Sequence, residues 1–185
     1  MNEDLKVDEI GDYLKHKDIA LCVTGGIAAI ETPKIARHLR RYGANVKAYM
    51  SQAAGKFIGE TALEWATQQE VATKMSGLAE HICQEDLVLV APCTMNTLNK
   101  IMSGAADNMV TTLVASALGM GKPVYLAPTA HESLYQNPFF QENLEKIAQH
   151  GEEYNIHLIE PRFSEGKAKI PKIDTLVSTI IEAYK

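Results

Sequence analysis

Residues 87–112, LVLVAPCTMNTLNKIMSGAADNMVTT, decide how this chain folds. They open on an unbroken apolar run, 87–91, closed by Pro92. Such a run, without polar alternation, reads as a strand buried on both faces, as in the middle of a parallel sheet. Helical spacing takes over at Met95. At the junction stand Pro92, Cys93, Thr94 and Asn96, a rigid corner with small polar groups suited to a flat, polar-edged ring. Open α/β sheets bind their ligands there, beyond the carboxyl ends of the strands.

On either side, short apolar runs alternate with helical patterns. Residues 19–24 precede a helical pattern over 27–42, and 45–49 follow. Helical patterns over 95–102 and 107–118 lead to 124–127, then 143–150, 156–159 and 173–184. This alternation implies right-handed crossovers and an α/β fold: a single doubly wound parallel sheet of Rossmann/flavodoxin-like type, with helices on both faces. Residues 18–185 are expected to form the domain, and the polar segment 1–17 an N-terminal arm or short helix. In such a sheet the strand ends at Gly25-Gly26, Ser51, Pro92–Thr94 and 128–131 converge on one crevice.

The chain has 185 residues, 46% of them hydrophobic and only 6% aromatic, so an aliphatic core is expected. A net charge of −5 argues against nucleic acid as a partner, because phosphate neutralisation needs clustered cations. Lys34, Arg37, Arg40 and Arg41 follow helical spacing and read as a solvated face. Cys22, Cys83 and Cys93 are scattered without metal-ligand or disulfide spacing, as in a reducing compartment. No apolar run approaches a membrane span and no leader pattern is visible, so a cytoplasmic protein with no membrane partner is expected.

Several residues carry candidate chemistry. Gly25 and Gly26 end the first strand where Ile27 begins a helical pattern, a turn that lets backbone N–H groups approach an anion or simply connects the elements. Ala28 and Ala29 occupy positions where a dinucleotide fingerprint has glycine. Ser51 precedes a helical stretch containing Phe57 and either caps it or meets a phosphate oxygen. His81 is placed as a general base, against the plainer reading of a surface histidine. Asp107 and Asn108 read as helix capping, whereas Asn96 and Asn99 are less easily explained that way. Cys93 lacks a basic neighbour and reads as a site wall rather than a nucleophile.

With these residues in place, the chain resembles the homo-oligomeric flavin-containing cysteine decarboxylases, the phosphopantothenoylcysteine decarboxylase-like flavoproteins. The resemblance rests on Thr24 through Ala29, Ser51 through Ile58, His81-Ile82, Ala91 through Asn96, and Gly104 through Thr112. It implies noncovalent FMN, a small-molecule substrate and a homo-oligomer, trimer or dodecamer. It places Gly25, Gly26, Ile27 and Ser51 at the phosphate and includes Phe57 among the cofactor residues. Pro92, Cys93, Thr94 and Asn96 lie against the isoalloxazine, supported by Asp107 and Asn108. His81 matches the family's active-site histidine, which helps oxidise the substrate thiol to a thioaldehyde that loses CO₂.

Two departures concern the substrate. The family's Pro-x-Met-Asn-x-x-Met-Trp segment corresponds to Pro128 through Tyr135, with His131 for the carboxylate-binding asparagine and Tyr135 for the tryptophan. The flexible clamp, which carries a cysteine in the pantothenate-pathway enzymes, corresponds to Arg162 through Lys169 and has none. These changes point away from phosphopantothenoylcysteine. They make His131 a second catalytic candidate, and Lys167 and Lys169 either an anion-binding lid or a solvated loop. Alternative readings are a flavin reductase or electron-transfer flavoprotein, a flavin prenyltransferase, and a non-catalytic regulatory subunit.

Overall fold

The computed structural model describes residues 5–77 and 79–185. Five strands run parallel: β1 (Asp18–Val23), β2 (Asn45–Met50), β3 (Leu87–Thr94), β4 (Val124–His131) and β5 (Ile156–Leu158). Their order is β2-β1-β3-β4-β5, which reverses direction between β1 and β3 and opens a crevice at that switch point. The sheet is not wholly parallel. A hairpin, β6 (Arg162–Ser164) and β7 (Lys167–Lys169), pairs antiparallel to the last residues of β4. Its two-residue turn, Glu165-Gly166, has φ of 54° and 65°, the left-handed geometry that tight hairpins require.

Alternation along the strands divides the interior into two cores. Ile19, Leu21, Leu87 and Leu89 face a layer that includes α1 (Thr32–Arg41), α2 (Glu60–Thr67) and α7 (Ile173–Glu182). Ala20, Cys22, Val88 and Val90 face α3 (Met95–Met102), α4 (Met109–Gly119) and α6 (Pro138–Tyr154). This period of two is what a sheet covered on both faces dictates. At the end of β3 the register against β4 shifts between Val90 and Cys93, which turns Cys93 into the second core. No helix among the described residues is long and apolar enough to cross a membrane.

Several elements differ from the sequence expectation. The helical pattern over 27–42 splits into a 3-10 turn, Ile27–Glu31, and α1, which starts at Thr32 with Pro33 in its first turn. The stretch containing Phe57 is not a helix; a short 3-10 turn, Ala54–Lys56, precedes it, and α2 starts at Glu60. Helix α6 begins at Pro138, because Asn137 accepts hydrogen bonds from Phe139 and Phe140 N–H as its cap.

Residues 6–17 contain no helix or strand and are tied to the end of α1. Ile10 N–H donates to Arg41 O and Leu14 N–H to Tyr42 O, and Leu14 is fully buried. Three arginines of α1 hold this segment, while Lys34 on the same face stays exposed. Arg37 donates to Lys6 O at 2.8 Å, Arg40 to Leu5 O at 3.3 Å and Arg41 to Asp8 O at 3.2 Å.

Candidate functional site

Four strand ends meet around a cavity of about 1590 Å³ at the carboxyl edge of the sheet. Single-ligand pockets typically span about 300–1000 Å³, so this one has room for two ligands side by side. Gly25, Gly26 and Ile27 line it after β1, Ser51 after β2, Thr94 and Asn96 at the start of α3. Asp107, Asn108 and His131 complete the set of expected residues that the fold brings together here.

The first turn is bare backbone for a steric reason. A Cβ on Gly25 would lie 2.5 Å from Ala53 Cβ, and one on Gly26 would lie 3.3 Å from Thr94 Cγ2. Only glycine lets the β1 and β2 ends approach so closely. The 3-10 turn that follows Gly26 has no side-chain cap, and neither does the N-terminus of α3 after Thr94. Backbone N–H groups at both starts are therefore not taken by a capping side chain. Ser51 Oγ accepts from Ala54 N–H at 3.3 Å, so it caps its turn while lining the cavity.

Thr24 ties this floor together. Its hydroxyl donates to Pro92 O at 2.7 Å and accepts from Thr94 N–H at 3.2 Å. Asn108 caps α4 through Val110 and Thr111 N–H in a capping box. Asp107 pairs with Lys100 and accepts from Asn108 Nδ2 at 2.9 Å, and the hydrogen bond from Lys100 holds its carboxyl below the usual range. These two residues thus do the structural work the capping reading assigned, at the cavity's edge.

His131 ends β4 and caps the short helix α5 (Glu132–Tyr135), its Nδ1 accepting from Ser133 N–H at 3.3 Å. Ser133 Oγ also lies 3.0 Å from Nδ1, and in the tautomer that accepts at Nδ1 the ring carries its proton at Nε2. The β6–β7 hairpin forms the outer wall, with Lys167 in register opposite His131, and both Lys167 and Lys169 line the cavity.

Four of the expected residues lie outside the lining of this cavity in the single chain. Cys93 is fully buried within the second core, where burial pushes its thiol well above the ordinary range, so its side chain does not form the wall. Pro92 contributes its carbonyl to Thr24 rather than a surface to the cavity. Phe57 is 42% exposed and outside the lining, because the chain there is a turn rather than a helix face. His81 lies exposed in a turn outside the cavity of the single chain. Conversely, Arg162, Lys172 and Ile173 line the cavity without having been singled out as its walls. The signal for the hairpin was present: Glu165-Gly166 between two short alternating runs marks a two-residue turn.

A doubly wound sheet with one large cavity at its carboxyl edge and glycines at the first strand end defines a ligand-binding α/β domain. More narrowly, the chain belongs to the Flavoprotein family, which residues 8–185 match. It is 43% identical over 172 residues to the coenzyme A biosynthesis bifunctional protein CoaBC of Thermococcus kodakarensis, covering 89% of this chain and 41% of that protein. The chain thus spans about two fifths of that relative. A probable phosphopantothenoylcysteine decarboxylase of Streptococcus mutans is 31% identical over 180 residues, 90% of this chain and 98% of that one. Among solved structures, the FMN-dependent cysteine decarboxylase SpaF superposes with a TM-score of 0.79 at 22% identity, covering 92% of this chain and 98% of that one. MrsD from Bacillus sp. HIL-Y85/54728 gives 0.80 at 18% identity, covering 94% and 99%. These two likenesses concern the fold.

Proposed function

We propose that this chain is an FMN-dependent decarboxylase acting on a cysteine-type substrate, of which phosphopantothenoylcysteine is the first to test. One observation carries the reading: a single cavity, with room for two ligands, has bare backbone at one side and a cationic hairpin at the other. The name of the Streptococcus relative supports the substrate. The changes at His131 and Tyr135 then alter how the carboxylate end is held rather than the class of molecule.

The residues present fit FMN. Gly25, Gly26 and Ser51 offer N–H and hydroxyl donors to a phosphate where no side chain intrudes. Asn96 brings a carboxamide, donor and acceptor together, to the polar edge of a flat ring. Bound there, FMN supplies a two-electron acceptor. The chain's own part is to orient and to move protons. His131 presents Nε2–H to the substrate carboxylate, and Asn96 sets the ring edge. His81 takes the thiol proton.

His81 reaches a cavity only when a second copy brings it there, which ties the catalytic assignment to a homo-oligomer, trimer or dodecamer. Apolar side chains support the assembly. Ile82 next to His81 and Met75 earlier in the same loop are 40% and 50% exposed, and Ile27 and Ile30 at the cavity are 70% and 50% exposed. We place the enzyme in the cytoplasm, with no nucleic-acid or membrane partner.

Titration with FMN tests the cofactor half. One FMN bound per chain, with binding lost in Asn96→Lys, supports it. Stoichiometric FMN retained by a folded Asn96→Lys variant overturns that residue's role.

A further inference from the structure

The outer wall of the cavity is cationic although the chain as a whole is acidic. Arg162, Lys167, Lys169 and Lys172 all line it, on a chain of net charge −5. Two carboxylates also line the cavity, and each has a lysine partner: Glu31 with Lys34 at 3.4 Å and Asp107 with Lys100. The cations at the open end of the hairpin are less well matched. Arg162 stands directly opposite Lys169 in the β6–β7 register. Like charges at directly opposed positions destabilise a strand pair. Lys169 pairs with Glu165, and Arg162 Nε donates to Ile170 O at 3.1 Å, leaving the rest of its guanidinium without a protein acceptor. Lys172 follows at the head of α7 and makes no side-chain hydrogen bond or ion pair among the described residues. That helix start has no side-chain cap, and Ile173 within it also lines the cavity.

We propose that Arg162, Lys169 and Lys172 form a subsite for a phosphomonoester at the far end of the substrate, separate from the Gly25–Gly26 turn where FMN's phosphate is placed. The inference rests on the proposed function and deepens it. The substrate's reacting carboxylate lies toward His131, and its terminal phosphate is held at the opposite end of the hairpin, where it relieves the opposed cations. Selection between phosphorylated and unphosphorylated substrates then resides in residues remote from the chemistry.

Calorimetric titration of the FMN-loaded protein with phosphopantothenate and with pantothenate tests this without requiring turnover. The wild-type protein is expected to bind the phosphorylated ligand about a hundredfold tighter. Lys172→Gln should cost about tenfold of that preference, and Lys169→Gln with Lys172→Gln should nearly abolish it, while Lys172→Arg retains it. Three results would overturn the subsite: no preference in the wild type, equal weakening of both ligands in the variants, or release of FMN from the variants. The last would show that the anion held there is the cofactor's. Absence of decarboxylation, by contrast, would overturn the proposed function and leave these affinities as measured.

Discussion

The Thr94 N–H donates to the hydroxyl of Thr24 at 3.2 Å, and that hydroxyl donates to Pro92 O at 2.7 Å. One side chain from β1 thus satisfies both a donor and an acceptor of the irregular end of β3, and fixes the floor of the cavity. Thr24→Val keeps the shape and leaves both groups buried and unpaired. It should cost about 1–3 kcal/mol in urea unfolding and weaken FMN binding. Unchanged stability with unchanged FMN affinity would show that the floor is held by other contacts.

Gly25 tests the close approach of β1 and β2. With a Cβ 2.5 Å from Ala53 Cβ, Gly25→Ala forces the two turns apart. The expected cost is about 1–3 kcal/mol, as for overpacking elsewhere, together with loss of FMN. Gly59 has open space where a Cβ would go, so Gly59→Ala serves as the control and should keep FMN.

The position of His131 gives a substrate-side prediction. If Nε2–H meets the carboxylate, His131→Asn preserves a donor and should change KM little. His131→Leu removes the donor and should raise KM about tenfold or more, the effect of losing a hydrogen bond to a charged group. Equal kinetics for His131→Leu and the parent would remove this residue from the site.

Buried thiols predict the alkaline limit of stability. Burial pushes Cys22, Cys83 and Cys93 up, with the Glu85 charge adding to burial at Cys83, which rises from its ordinary 9.0 to about 11. A group whose folded pKa is raised binds its proton more tightly when folded. Its contribution is therefore complete below the unfolded value and is lost as pH rises through the folded one. The urea midpoint should fall between pH 9 and pH 11. Cys83→Ala should flatten that fall.

Much of the fold was legible because strands covered on both faces leave long apolar runs. Those over 19–24 and 87–91 mark β1 and the start of β3. Their outer ends were harder, for a physical reason. Thr94 and His131 remain in strands because Pro128 and Thr129 continue the β3–β4 ladder and the β6–β7 hairpin pairs with β4, contacts that no local pattern announces. The hairpin strands are three residues each, so the Glu165-Gly166 turn between them is the legible part, and their pairing to β4 is not. In the site, Gly25, Gly26, Ser51 and Asn96 could be placed because each follows a recognisable strand end. That Cys93 faces the second core was not legible, because a register shift reverses which side of the strand it faces. The arginines of α1 looked solvated because their acceptors are carbonyl oxygens of the N-terminal segment, which a residue pattern does not display.

Release of labelled CO₂ from carboxyl-labelled phosphopantothenoylcysteine, measured under anaerobic conditions with FMN-loaded and FMN-free protein, tests the central claim most directly. The account predicts stoichiometric or catalytic release that depends on bound FMN and is lost in His81→Ala. An FMN-loaded, folded protein that leaves the labelled carboxylate intact would contradict it.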